Sequence, residues 1–560
     1  MAPNGTADLA FVNGRVATMD AVRRWAGAVA VSSGQIAAVG TDGDVGELIG
    51  SGTDVVDLAG RLLVPGFQDA HVHPPSSGLE MLRCNLSEAY DAREYERIVS
   101  EYASANPEEP WVVGGGWSMD IFPGGNPPKE ILDRVVPDRP VFLMSRDGHS
   151  GWVNSRALEI AGVTRDTPDP ADGWIVRDAG GEPAGAVHEG GFVLIERHVP
   201  EARPSDWVEG LLAAQRHLHA LGITAWQDAI VGGSYPTLDA YGEVAASGAL
   251  TARVVGALWW DRYRGIEQVE DLLEARERSR AGRFAATTIK IMQDGVIENF
   301  TAAVLEPYLD AAGRPTDNRG KSFVEAEALK AAVTRLDAEG FQVHIHAIGE
   351  RAVREALDAF EAARTANGAN DHRHHIAHIQ VVHPDDVPRF RELGVVANAQ
   401  PLWAVNEGQM LHLTIPFLGP ERSSWQYPFA SLVRSGAVLA MGSDWSVSSA
   451  NPLWEMHVAV NRTAPNAYEY GGGTGEPVLP HERIDLPTAL AGFTINSAYV
   501  NHLDHLTGSI EVGKRADLAI VDRDVFAHPV EEIADASVVL TFVDGERVFD
   551  AEQPPDAGPR

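Results

Sequence analysis

The chain is almost free of cysteine. Its single thiol, Cys84, excludes a disulfide framework and any cysteine-rich zinc knuckle, and reads as a small buried residue. Basic residues are also scarce: 45 Lys and Arg stand against 79 Asp and Glu, for a formal net charge of −34. So acidic a surface repels phosphate backbones and anionic lipid, so neither nucleic acid nor a membrane is an expected partner. No stretch approaches the roughly 20 apolar residues that cross a bilayer. The opening Met1-Ala2-Pro3-Asn4-Gly5 has neither the basic nor the apolar region of a signal peptide, so a cytoplasmic setting is expected. Phosphate loops are missing too. The runs Gly114-Gly115-Gly116 and Gly471-Gly472-Gly473 lack a following Lys-Ser/Thr or helix opening and read as plain loops.

What remains is a chain of 560 residues with a globular balance, 44% hydrophobic and 22% charged, suited to one large domain with satellites. The two ends share a style. DLAFVNGRVATMD, AGAVAVSSGQIAAVG and DVVDLAGRLLVPG at the start match RADLAIVDRD and SVVLTFVDGERVFD at the finish, all short β-rich runs broken by glycine turns. Neither end has enough strands for a sheet of its own, which suggests one small β-sandwich built from residues 1–65 and 507–560; two unrelated hairpins are the alternative.

Between the ends, eight apolar, β-branched runs alternate with helical segments: LLVPGFQDAHVH, ITAWQDA, RVVGALWW, TIKIMQDG, FQVHIHAIG, HHIAHIQVV, VVANAQP and AVLAMGSD. Such alternation implies a parallel sheet, and eight repeats imply an α/β fold of the closed (β/α)8 TIM-barrel type over 66–506. An open doubly wound sheet is the runner-up, weakened by the absence of a glycine-rich fingerprint after the first strand. Residues 75–205 form a large insertion after barrel strand one, expected to act as a lid or substrate wall.

The chain carries 20 histidines. Functional groups in such a barrel lie at the C-terminal ends of strands, and that rule sorts them. His71 and His73 close the first strand, where a spacing of two puts both side chains on one face. His346 ends the fifth strand, His378 the sixth and Asp444 the eighth, and Lys290 lies in the fourth. Imidazole and carboxylate suit Zn2+, Mn2+ or Fe2+. A lysine among Ile289, Ile291 and Met292 tends to lose its proton, and the neutral amine can add CO2 to form a carbamate able to bridge two cations; an ordinary pairing with Asp294 is the alternative. His217 and His219 diverge by about 200° on a helix and are set aside. His344 shares a face with His346 one step deeper and is expected behind the ligands. His372, His374 and His375 read as loop or lower-barrel residues, and His502, His505 and His528 as structural.

VPGFQDAHVHP, DGHSGWVNSRAL, IKIMQDGVIEN, VHIHAIGERAV, IAHIQ, GSDWSVSSANPL and GSIEVGKRADLAIVDRD together resemble the metal-dependent amidohydrolase superfamily, in its amidohydrolase-3 branch, which includes N-substituted formamide deformylases. The resemblance implies a centre of one or two ions, zinc foremost. His71 and His73 would hold the more buried ion, carbamylated Lys290 would bridge, and His346 and His378 would hold the second. Asp444 would bind metal and act as general base toward a metal-activated water. Relatives often read HAIGD where this chain ends in Glu350, which leaves that carboxylate without an assigned role. Asp69 and Asp294 are expected to support the ligands. Trp117, His149, Gln400 and Trp403 are expected to meet a small-molecule substrate. The expected reaction is hydrolysis of an amide or N-formyl C–N bond by a homo-oligomer, a dimer. Deamination, ester hydrolysis, decarboxylation and a catalytically silent scaffold are the other readings.

Overall fold

The computed structural model describes residues 5–87, 89–466 and 475–553, so the Gly471–Gly473 run lies outside the described residues. All eight expected barrel runs contribute strands to one eight-stranded sheet: Phe67–Val72, Ile223–Val231, Arg253–Trp259, Phe284–Met292, Gln342–Ala347, His375–His378, Val396–Ala399 and Leu439–Met441. Each pairs in parallel with the next in sequence. The sheet rolls into a nearly closed barrel. Its seam lies between the first and eighth strands, where Asp444 N–H donates to the His71 carbonyl at 2.8 Å and His73 N–H to the Trp445 carbonyl at 3.1 Å.

Amphipathic helices wrap the outside. In Glu350–Asn367, the residues Ala352, Val353, Ala356, Leu357, Phe360 and Ala363 recur at helical spacing and are buried, so one stripe faces the barrel and the charged remainder faces water. The helix Pro204–Ala220 precedes the second strand and carries His217 and His219. Among the described residues, no helix is long and apolar enough to cross a membrane.

The run from Leu62 is not one strand. Leu62–Pro65 pairs antiparallel with Leu518–Val521 in a six-stranded sheet, and only Phe67–Val72 enters the barrel. Proline and glycine make the break. Pro65 has no N–H to donate, and a Cβ on Gly66 would sit 2.3 Å from Thr224 Oγ1. Strands from both ends of the chain form this sheet, and a four-stranded sheet of Gln35–Gly40, Ala28–Ser32, Leu9–Val12 and Asp54–Asp57 packs on it through Phe11, Val31, Leu63, Ile520 and Phe542.

Within the insertion, six strands from Cys84–Asn85 to Pro183–Glu189 form a separate mixed sheet. Trp117, Trp152, Tyr95 and Leu143 make its core. The turn after Val141–Ser145 and the end of Pro183–Glu189 project toward the barrel mouth and place His149 and Glu189 there.

Candidate metal centre

Strand ends bring the expected ligands together. His71 Nε2 lies 3.2 Å from Asp444 Oδ1, and His73 Nε2 lies 2.8 Å from the same oxygen. One ligand atom from each of the three residues falls within 4.8 Å of the other two. Yet Asp444 Oδ1 is buried and meets neither imidazole at a hydrogen-bonding angle. Donor atoms that converge without bonding one another are the arrangement a cation between them would need, and two imidazoles with a carboxylate suit zinc.

His346 and His378 stand beside this triad, with ring centroids 4.4 Å apart, and His378 lies 4.7 Å from His71. Both ring nitrogens of His378 are buried without a hydrogen-bond partner, and its Nδ1 is 3.8 Å from Asp444 Oδ2. Lys290 Nζ reaches His71 Nε2 at 3.3 Å. Asp294, the alternative partner for that lysine, is occupied elsewhere. Its Oδ1 accepts from Ile348 N and contacts His346 Nδ1 at 3.2 Å, and its Oδ2 accepts from Ala303 N and Gly349 N.

The surroundings set the charges. Burial pushes Lys290 down to about 7 and His71 down to about 3, the latter with help from Lys290. Burial would raise Asp444, but the His71 and His73 imidazoles at its oxygens outweigh this and hold it well below the usual carboxylate range. Asp69, behind the site, is raised by burial to about 7. It accepts from Ser443 Oγ at 2.6 Å and from the backbone N–H groups of His71 and Ser443, tying the first strand to the eighth. His344 lies beneath, with Nε2 2.9 Å from His71 Nδ1, and burial holds it far below the usual histidine range.

A cavity of ≈ 1460 Å³ opens above these groups, and His149 and Trp403 line it. Burial alone would lower His149; the charge and 2.7 Å contact of Glu189 outweigh it and raise the imidazole to about 9. Asn299 Nδ2 and Thr301 Oγ1 donate to the same Glu189 oxygen. Trp403 stacks on the His378 ring at 5.1 Å.

The other two expected substrate contacts face elsewhere. Trp117 is fully buried in the insertion core, donating Nε1–H to the Leu143 carbonyl. Gln400 is also fully buried; its Oε1 accepts from His378 N–H at 2.8 Å and so braces that backbone. Glu350 is buried at a helix start, accepting from Leu305 N–H. His375 opens the sixth strand and is wholly buried, which matches the lower-barrel half of the expectation and not the loop half. His374 holds Asp337, away from the site, and His219 bonds Ile223 O and Thr251. His217 stacks on Trp445, next to Asp444.

Sequence reasoning missed Asp228, which lies in the C-terminal half of the second strand, three residues before its end. It is fully buried, raised by burial to about 6, and feels the charges of His73 and Lys290. The strand-end rule that selected the histidines also covers the Asp in ITAWQDA. Glu189 gave no signal, since only its fold brings it to His149.

A family model described as Amidohydro_3: Amidohydrolase family matches residues 54–549. The protein LONG AFTER FAR-RED 3 of Arabidopsis thaliana is 31% identical over 557 residues, covering 97% of this chain and 92% of its own. N-substituted formamide deformylase of Arthrobacter pascens is 27% identical over 548 residues, covering 96% and 97%. Among solved structures, an uncharacterized metal-dependent hydrolase from Pyrococcus furiosus superposes with a TM-score of 0.69 at 25% identity, over 92% of this chain and 99% of that one.

Proposed function

Because the chain belongs to the amidohydrolase family, we propose that it hydrolyses the C–N bond of an amide or N-formyl group on a small organic molecule, at a divalent-metal centre. His71, His73 and Asp444 would hold the first ion, zinc by the chemistry of the donor set. His346, His378 and a carbamylated Lys290 would complete a second position. The observation that carries this reading is Asp444 Oδ1, buried against two imidazole nitrogens and hydrogen-bonded to neither.

When bound, a divalent cation supplies Lewis acidity to a carbonyl and lowers the pKa of a water toward 7. The chain's own groups do the rest. Asp444, ionised in its pocket, accepts the proton that water gives up on attacking the carbonyl carbon, and returns it to the departing nitrogen as the C–N bond breaks. One acid and one amine result. The His149 imidazolium, held by Glu189, donates to the carbonyl oxygen as that oxygen gains charge. Trp403 fixes His378 from one face, and Gln400 fixes its backbone. The cavity far exceeds a formamide in volume and leaves room for a bulky N-substituent. Its wall comes partly from the insertion, through His149 and its neighbours, so the insertion is the natural determinant of substrate.

The test is a screen of N-formyl amines, N-acyl amino acids, cyclic amides and esters, with metal content measured on the same preparation. Chelator-sensitive release of formate or another carboxylate, with one to two ions per chain, is expected. A metal-free protein that stays active would refute the reading.

A further inference from the structure

Below the ligands the barrel interior is strongly polar, and its hydrogen bonds force one another's direction. At the floor, Gln342 Nε2 donates to the backbone carbonyls of Arg373 and Val500 at 2.9 and 2.6 Å. Carbonyls only accept, so this amide cannot be turned over. Gln342 Oε1 must then be the acceptor that receives Thr288 Oγ1 at 2.7 Å and Gln227 Nε2 at 3.0 Å. That fixes Gln227 in turn. Its Oε1 faces His344 Nδ1 at 2.8 Å and His375 Nε2 at 3.0 Å, so both of those nitrogens carry protons.

The remaining nitrogens of the two rings meet His71 Nδ1 at 2.9 Å and Asn398 Nδ2 at 3.1 Å. None of these partners is a carboxylate, and both rings are fully buried. An imidazolium there would lack a countercharge, so each ring is neutral and its second nitrogen accepts. His344 Nε2 therefore takes a proton bond from His71 Nδ1. Lys290 Nζ, a donor, approaches His71 Nε2 at 3.3 Å, and Asp444 Oδ1 receives no hydrogen bond from that nitrogen, so His71 is protonated on Nδ1 and carries its lone pair on Nε2, the atom that faces both.

We propose that Gln342, Gln227 and His344 form a tautomer-setting relay, running from two backbone carbonyls on the barrel floor to His71, that presets its Nε2 lone pair toward a divalent cation before any ion arrives. His73 has no such support, since its Nδ1 is buried without a partner. The inference rests on the proposed metal role of His71. The three relay residues are positioning residues, acting on the ion only through His71.

Neutron diffraction from crystals of the full metal-free chain at neutral pD reads the relay directly. Deuterons are expected on Nδ1 of His71, Nδ1 of His344 and Nε2 of His375, and none on Nε2 of His71; a deuteron on His71 Nε2 would overturn the proposal. A second measurement uses zinc affinity by chelator competition, on variants shown to be folded by thermal melting. Gln227→Met removes the shared acceptor. Gln227→Glu, kept neutral by burial, still offers a carbonyl oxygen to both imidazoles and an O–H to Gln342. The Met variant should bind zinc about 10- to 100-fold more weakly, and the Glu variant within about threefold of wild type. Equal loss in both, or loss in neither, sinks the relay. If Gln227→Met does not fold, the neutron map decides alone. A wild-type chain that binds no divalent ion would reject the proposed function, while the proton positions would still settle the tautomer.

Discussion

Lys290 is the residue whose chemistry departs furthest from its ordinary state. Burial brings it from 10.5 to about 7. At pH 7 about half of such amines are neutral, whereas an unperturbed lysine is neutral roughly once in a few thousand, so the gain in nucleophile is on the order of a thousandfold. The side chain lines the cavity, so dissolved CO2 can reach it. Addition forms an N–C bond, releases one proton and leaves an anionic carbamate. Incubating the metal-free chain with zinc and 13C-labelled bicarbonate should produce a protein-bound carbamate signal in 13C NMR. The neutral fraction falls from about nine-tenths at pH 8 to about one-tenth at pH 6, so the initial rate of loading at fixed dissolved CO2 should drop about tenfold across that interval. Lys290→Ala should show no such signal and should lose one of two bound ions. A zinc-loaded wild type without the signal, or a Lys290→Ala protein that keeps both ions, would refute the reasoning.

Three further outcomes are expected. Asp444→Asn should lower turnover by at least about 10²- to 10⁴-fold while metal analysis finds most of the ion retained, because the amide oxygen still ligates but cannot carry the proton. Trp117→Ala should cost about 3–5 kcal/mol in denaturant unfolding, as expected for a large ring removed from a core, and leave KM of the folded fraction nearly unchanged; His149→Gln should instead lower kcat by about 10²-fold. The metal-free chain should gain stability as pH rises from about 7 toward 10.5. Over that range the unfolded chain keeps the Lys290 proton that the folded chain has released, so denaturant midpoints should rise with pH and Lys290→Met should flatten that rise.

Much of the site is legible in the sequence because a strand's period of two and the barrel's polarity are simple rules. They bring His71, His73, His346, His378 and Asp444 to one mouth without knowledge of any contact. They fail where side-chain direction depends on neighbours. Trp117 sits in a strand next to the mouth, but Gly116 ahead of it has φ +93, and the ladder shifts register there; the indole turns into the insertion core. His378 and Asp444 themselves have positive φ, 77 and 54, so alternation along the strand does not give their aim. Gln400 follows the seventh strand, a position that predicts a substrate contact, yet its amide turns back to the His378 backbone. The polar interior formed by Gln227, Gln342, His344 and His375 was hidden for a different reason. Aliphatic side chains usually fill such a barrel, and only the three-dimensional pairing shows that these four satisfy one another.

The seam of the barrel has a consequence for how the chain matures. Asp69 and Ser443, which tie the first strand to the eighth beside the ligands, are 374 residues apart in sequence. During synthesis the two imidazoles of the first strand emerge early and wait for nearly the whole remaining barrel before their carboxylate exists. An ion held by His71, His73 and Asp444 therefore cannot help nucleate folding. It can only clasp a barrel whose first and eighth strands have already met, which would make occupancy of the site a report that the barrel has closed.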